Sequence, residues 1–142
     1  LISKVMTRSD FGVFCSAAHP LAGIDRRITG KDLQAYPWML NTNAPDVTPH
    51  YPRLAEGPSL VKNKLKIVAI DSLHMGKELV INSDCLCHTP HLAMAVELAK
   101  GKVKQLDVPI KRVSTDIMGL RHGDIRSPLL DRAFALAAQC FD

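Results

Sequence analysis

The chain has 142 residues, of which 46% are hydrophobic and 23% charged, and its formal net charge at pH 7 is +4. This composition is typical of a globular domain with its own core, and it excludes an intrinsically disordered chain. The sequence has no apolar run long enough to cross a bilayer and no dense block of lysine and arginine, so it indicates neither a membrane span nor direct nucleic-acid binding. The four scattered cysteines favour a reducing, cytoplasmic setting over a disulfide scaffold.

Strands and helices alternate along the first half of the chain. The apolar run FGVFCSA, residues 11–17, predicts a buried strand. Thr29 and Asp32 have the spacing of a capping box, which predicts a short helix. WMLN, residues 38–41, predicts a second strand, and the proline-rich residues 42–59 predict a loop.

The second half continues this alternation. A strand at residues 66–70 leads into a helix at 72–82, for which Asp71 and Ser72 are both suitable N-caps. The other predicted elements are a strand from Cys85 to Thr89, a helix that Thr89 caps and Gly101 ends, strands at 103–106 and 110–120, and a closing helix after Ser127. This order predicts an α/β fold with a largely parallel sheet flanked by helices.

Two cysteines and two histidines lie close together in SDCLCHTPH, residues 83–91. On a strand, Cys85 and Cys87 share one face and His88 takes the other. Zinc ligands must converge on one point, and the order Cys-x-Cys-His-x-x-His matches none of the common zinc spacings. A redox pair is not indicated either, because the spacing is not Cys-x-x-Cys at a helix N-terminus. We therefore predict no metal and no cofactor, and interpret both cysteines as small buried hydrophobes.

Several segments in the correct order resemble the effector-binding domain of LysR-type transcriptional regulators. These segments are HPLA at 19–22, ITGKDLQAYPWML at 28–40, LVINSDCLCHTPHL at 79–92, LAKGKVKQL at 98–106 and RSPLLDRAF at 126–134. The third segment departs from the family pattern at Ser83 and Cys85, where the family usually has glycine, and at His88, where it usually has an apolar residue.

The resemblance implies the two-lobed fold of type 2 periplasmic binding proteins. Residues 14–109 would form the second lobe and residues 110–142 the return into the first lobe. The chain would then be the C-terminal part of the domain, without the opening βαβ units of the first lobe. It would contact DNA only through an N-terminal winged helix that it lacks. The family also implies a small organic effector, which we expect to be an acid, and a homodimer or homotetramer.

In this family the effector binds in the cleft between the lobes, at strand ends and helix N-termini, where unpaired N–H groups attract anions. The polar candidate residues also have ordinary structural explanations. Ser16 could bond its own backbone, Asn41 and Thr42 could form a turn, and Asp71 and Ser72 could cap a helix. The candidate effector-binding residues are Ser16, Asn41, Thr42, Ile70, Asp71 and Ser72.

Two other functional classes compete with a non-enzymatic sensor. A solute-binding protein of the same fold could serve transport, but free thiols and the absence of a visible secretory leader argue against it. An enzyme is not expected, because the sequence contains no phosphate-binding loop, nucleophile elbow or paired carboxylates. We therefore predict no catalytic residues.

Overall fold

The computed structural model describes residues 2–41, 65–123 and 127–140. In chain order the elements are strand β1 (Ile2–Ser16), a 3₁₀ turn (Pro20–Gly23), helix α1 (Gly30–Gln34), strands β2 (Trp38–Asn41) and β3 (Ile67–Ile70), helix α2 (Leu73–Ile81), strand β4 (Leu86–Pro90), helix α3 (His91–Ala99), strands β5 (Val103–Leu106) and β6 (Ser114–Arg121), and helix α4 (Pro128–Gln139). The predicted loop at residues 42–59 lies outside the described residues. None of the helices described is long and apolar enough to cross a membrane.

The strands form a mixed sheet in the order β3-β2-β4-β1-β5, and β6 pairs with β1. Strand β2 is parallel to β3 and β4, whereas β1 is antiparallel to β4, β5 and β6. Strands β3, β2, β4 and β5 therefore run in one direction and β1 runs against them. The predicted α/β fold with flanking helices is confirmed. Its sheet is mixed, because β2 is parallel to its two partners and β1 is antiparallel to its three partners, a strand direction that the sequence did not reveal.

Strand β1 is 15 residues long and changes partners near its middle. Its first part, Ile2–Asp10, pairs with β6, and its last part, Phe11–Ser16, pairs with β4 and β5. The sequence predicts only residues 11–17 as a strand. A register shift between Val5 and Thr7 interrupts the side-chain alternation in the first part, so periodicity does not reveal a strand there. We call Asp10 and Phe11, where the partner changes, the crossing point.

The two parts of β1 belong to two sheet regions, one containing β6 and the other containing β2, β3, β4 and β5. After β5 the chain returns from the second region to β6. The Phe11 N–H donates to the carbonyl of Val113 at 2.8 Å, so the return lies beside the crossing point. The strand predicted at 110–120 begins only at Ser114. The predicted lobe boundaries, 14–109 and 110–142, are not tested by this pairing and stay a prediction.

Two apolar clusters cover the two faces of the sheet, because alternate residues of β1 point to opposite sides. The cluster beneath α1 and the 3₁₀ turn contains Val13, Cys15, Leu21, Ile28, Leu33, Trp38, Leu65, Leu86 and Leu106. The cluster beneath α2 and α3 contains Phe14, Met39, Val80, Cys85, Cys87, Met94 and Val103. Both predicted buried cysteines thus belong to the second cluster, and the helices are held on the sheet mainly by removal of this apolar surface from water.

Several helix ends follow local sequence signals. Thr29 and Asp32 form the predicted capping box at the start of α1. Ser72 caps α2, since its Oγ accepts a hydrogen bond from the Met75 N–H at 3.4 Å. Gly101 has a φ of +65°, the left-handed conformation that favours glycine after a helix, and α3 ends before it.

The start of α3 corrects the prediction that Thr89 caps this helix. Thr89 and Pro90 are instead the last residues of β4, where they pair with Gly12 and Phe11 of β1, and the helix begins at His91. Pro90 occupies the N-cap position, and its side chain makes no capping hydrogen bond. Pairing with β1 thus keeps Thr89 and Pro90 in the strand, so the helix begins after them and not where the local capping signal predicts.

His19 is a buried polar residue that contacts the 3₁₀ turn, the loop before β4 and the loop after α1. Its Nδ1 accepts a hydrogen bond from the Leu21 N–H at 3.0 Å, so the proton of the neutral ring is on Nε2, which donates to the Asp84 carbonyl at 3.3 Å. The ring lies 4.4 Å from the Tyr36 ring between centroids. Burial lowers the pKa of His19 from its ordinary value of 6.5. Protonation would place two donors, Nδ1–H and the Leu21 N–H, against each other.

We predict that His19 makes the domain less stable in mild acid. Because the folded state lowers its pKa, the unfolded state binds more protons below pH 6.5, so the free energy of unfolding falls as the pH falls through that range. In His19→Asn the amide oxygen can still accept from Leu21, but the bond to Asp84 and the ring contact are lost. We expect a loss of about 1–2 kcal/mol at pH 8.

The measurement is urea denaturation of both proteins between pH 5 and 8. The difference in stability should shrink at acidic pH, and subtracting the two curves cancels the contribution of the other histidines. A difference that stays constant across this range would contradict the role given to His19.

Candidate functional site

The carboxyl ends of three parallel strands meet at one edge of the sheet. Strand β2 ends at Asn41, which pairs with Ile70, the last residue of β3, and β4 ends at Pro90. Helices α2 and α3 begin at this same edge, at Leu73 and His91. The first N–H groups of a helix have no partner within the helix, so two helix N-termini add positive partial charge here.

A polar cavity lies where β1 reaches this edge. Its volume is about 400 Å³, and it is lined by Arg8, Ser9, Asp10, Phe11, His91, Leu92 and Gln105. The lining contains a guanidinium, a carboxylate, an imidazole and an amide beside the first turn of α3. Arg8 also links β1 to β6, because its Nε donates to Ser114 Oγ at 3.1 Å and lies 3.7 Å from Asp116 Oδ1.

An apolar cavity lies beside the polar cavity and shares Leu92 with it. Its volume is about 370 Å³, and it is lined by Asn41, Leu73, Thr89, Pro90, Leu92, Ala93 and Ile117. Leu73 and Leu92 come from the first turns of α2 and α3, whereas Ile117 comes from β6. The apolar cavity is therefore bounded by both sheet regions, on either side of the crossing point.

Most of the predicted effector-binding residues lie at this edge. Asn41 lines the apolar cavity, and Asp71 and Ser72 connect β3 to α2. Ile70 is half-buried and packs against the apolar cluster beneath α2 and α3. Thr42 lies outside the described residues. The role of these residues in effector binding stays a prediction.

Ser16 lies at the opposite edge of the sheet. Because β1 runs against β2, β3 and β4, its last residue is far along the strand from the pairing of Phe11 with Pro90, and Ser16 instead pairs with Val103 at the start of β5. Its Oγ accepts a hydrogen bond from the Ala18 N–H at 3.3 Å, the local backbone contact that was the alternative explanation. The structure thus does not bring Ser16 together with the other candidates, and its role in effector binding stays a prediction.

Ser9 is a site residue that the sequence analysis missed. It is buried, and its Oγ accepts a hydrogen bond from the Leu92 N–H at 3.1 Å. It thus caps the first turn of α3 in place of Pro90, from a position 83 residues earlier in the chain. Capping motifs are local in sequence, so no pattern near α3 could have revealed this contact.

Gln105 is a second residue that sequence reasoning missed. Its side chain lies over Gly12, where an added Cβ would be 2.8 Å from the Gln105 Nε2 and 2.9 Å from the Phe14 ring. The absence of a side chain at Gly12 therefore allows the amide of Gln105 to reach the polar cavity. A glycine inside a strand signals such a close approach, although it does not identify the partner.

One protein family matches nearly the whole length of the chain. The model of the LysR substrate binding domain matches residues 1–140. The chain belongs to this family. A search among curated protein sequences gave no significant match.

Solved structures of LysR-type regulators share the fold. CrgA from Neisseria meningitidis has a TM-score of 0.72 at 17% identity, covering 98% of this chain and 47% of its own. LysG from Corynebacterium glutamicum with bound effector Arg has a TM-score of 0.60 at 16% identity, covering 97% and 44%. The regulatory domain of MexT from Pseudomonas aeruginosa has a TM-score of 0.64 at 19% identity, covering 99% and 67%. The chain thus spans less than half of CrgA and LysG.

The predicted LysR family and its fold are confirmed by these comparisons. At 16–19% sequence identity, structural similarity to these regulators shows that this chain shares their fold. Within the LysR substrate-binding domain, the crossing point of β1 joins two sheet regions, and the polar and apolar cavities lie where they meet. The family favours the sensing domain of a regulator over a solute-binding protein for transport.

The cysteine and histidine segment is part of the packed sheet of this LysR domain. Burial raises the pKa of the Cys87 thiol to about 12 and that of Cys15 to about 11, so both stay protonated at neutral pH. His88 lies on the other face of β4 from Cys87, with its ring 5.0 Å from that of Phe11. Among the described residues, no group of three or more histidine, cysteine and acidic side chains could hold a metal ion.

We predict that Ser9→Ala destabilises the LysR domain by about 1–2 kcal/mol, because the partly buried Leu92 N–H loses its acceptor and α3 its cap. Urea denaturation measures this difference. The matched control is Ser3→Ala on the same strand, where Ser3 is exposed and the change should stay within about 0.5 kcal/mol. Equal effects of the two substitutions would contradict the capping role of Ser9.

Proposed function

We propose that this domain is the effector sensor of a LysR-type transcriptional regulator, and that it binds a small organic acid at the edge formed by β2, β3 and β4. The observation that carries the proposal is the convergence of two helix N-termini with two cavities at the crossing point between the sheet regions. Ligands of open α/β sheets bind outside the carboxyl ends of the strands, which is this edge.

The charges at the edge favour an anionic group on the effector. The first turn of α3 presents N–H groups beside the polar cavity, and the guanidinium of Arg8 lies in the lining of the same cavity. LysG, a relative of similar fold, has arginine as its bound effector, and arginine carries a carboxylate. Asp10 and Asp71 add negative charge, so an effector that also carries an amino group could pair with them.

Effector binding at this place would act on the regulator through the crossing point. A ligand that contacts both sheet regions stabilises one arrangement of them over others, and the shift is limited by its difference in affinity for the two arrangements. The DNA-binding winged helix would receive this shift through contacts in a cytoplasmic homodimer or homotetramer. The proposed role involves no chemical step and therefore no catalytic residue.

The test is calorimetric titration of the purified protein with a panel of aliphatic acids, aromatic acids and amino acids. Arg8→Gln and Gln105→Ala should weaken binding of the responding ligand about tenfold or more, since each removes a hydrogen-bond donor from the polar cavity at this edge. Ser16→Ala is the control, because it removes a serine at the opposite edge of the same sheet.

The outcomes separate two locations for the site. Weakened binding in the variants at the carboxyl edge, with no change in Ser16→Ala, supports the proposal. Weakened binding in Ser16→Ala alone would move the site to the opposite edge, and a panel without any ligand would remove support for acid sensing.

A further inference from the structure

The two cavities at the crossing point differ in chemistry although Leu92 lines both. The polar cavity contains ionisable or amide side chains from Arg8, Asp10 and Gln105. The apolar cavity is lined mostly by hydrocarbon groups, with Leu73 and Ile117 on opposite sides of the crossing point. A ligand that spans Leu92 would therefore meet a polar surface at one end and an apolar surface at the other.

We infer that the effector is an amphipathic carboxylic acid, with its carboxylate in the polar cavity and a hydrocarbon chain or ring in the apolar cavity. This inference rests on the proposed function and adds the chemical class of the effector. A small hydroxy acid would fill the polar cavity alone, and a dicarboxylic acid would place a second charge against hydrocarbon.

The exposure of the lining supports a hydrocarbon occupant. Leu73 is 42% exposed and Leu92 40% exposed, although each belongs to the first turn of a helix whose later turns are packed on the sheet. Ile117 faces them from β6. Covering these side chains with another apolar group removes both surfaces from water, which is the main favourable contribution to such binding.

The sizes of the cavities favour a group of metabolite size. The apolar cavity holds about 370 Å³ and the polar cavity about 400 Å³. Both fall in the lower part of the range of roughly 300–1,000 Å³ that is usual for small-molecule sites. A ring or a short hydrocarbon chain fits the apolar cavity and leaves the polar cavity to the carboxylate.

The polar cavity also provides a reason for the carboxylate to bind at that end. Arg8 stays largely in water, with 71% of its side chain exposed, although its Nε is bonded to Ser114. The Gln105 amide reaches the same cavity over Gly12. A guanidinium and an amide both donate hydrogen bonds to a carboxylate, whereas a hydrocarbon group accepts none.

The experiment measures the affinity of the purified protein for the straight-chain acids from acetate to hexanoate and for 3-phenylpropionate. Each added methylene that is buried should raise the affinity about fourfold until the cavity is filled. Glutarate tests whether a charge is tolerated at the far end, and hexanol tests whether the carboxylate is needed. Both should bind at least tenfold more weakly than hexanoate.

The matched variants are Ile117→Thr and Leu120→Thr on β6. Both replace an aliphatic residue with a β-branched polar one, but successive residues of a strand point to opposite faces, and Leu120 is 63% exposed away from the cavity. Ile117→Thr should reduce the affinity for hexanoate several-fold and leave acetate nearly unchanged. Leu120→Thr should change neither.

Each outcome decides between the inference and the function on which it rests. A rise in affinity with chain length that Ile117→Thr reduces supports an amphipathic effector. Equal binding of acetate, hexanoate and glutarate would overturn the amphipathic class and leave acid sensing intact. Hexanol binding as tightly as hexanoate would overturn the polar end, and an absence of binding by every acid would overturn both the inference and the proposed function.

Discussion

The continuity of β1 is the constraint on which the rest of the structure depends. A single strand provides the hydrogen-bonding edge for β6 with its first part and for β4 and β5 with its last part. The chain returns beside it, with the Phe11 N–H bonded to Val113. Relative motion of the two sheet regions must therefore bend or twist the chain at the crossing point, because strand ladders on either side resist deformation.

The contacts of Ser9 couple this crossing to the candidate site. Its hydroxyl caps α3 from within β1, so the first turn of that helix is tied to the strand rather than to its own preceding residues. Lys77 of α2 pairs with Glu97 of α3 at 3.0 Å and links the two helices whose N-termini define the site. A ligand at these N-termini would therefore act on groups that are in direct contact with β1.

The sequence predicted helix ends well, but it did not predict how the strands pair or in which direction they run. The capping box of Thr29, the cap by Ser72 and the helix stop at Gly101 depend on neighbouring residues, and each was found. The first part of β1, the strand end at Pro90 and the distance of Ser16 from the site depend on which strand pairs with which and in what direction. Periodicity contains no information on strand direction, so it could not show that Ser16 and Asn41 lie at opposite edges of the sheet.

The division of the cavity lining between the two sheet regions limits how an effector can act. Arg8 and Ile117 belong to the region of β6 and the first part of β1, whereas Leu73, Leu92 and Gln105 belong to the other region. A ligand confined to one region binds every arrangement equally and shifts none of them. A ligand that contacts both regions loses contacts when they move apart, and under the proposed function the free energy of those contacts is what can bias the regulator. In the polar cavity a short acid already contacts both regions, through Arg8 and Gln105. A longer hydrocarbon group adds a contact with Ile117 of β6, so chain length should increase this bias as well as the affinity.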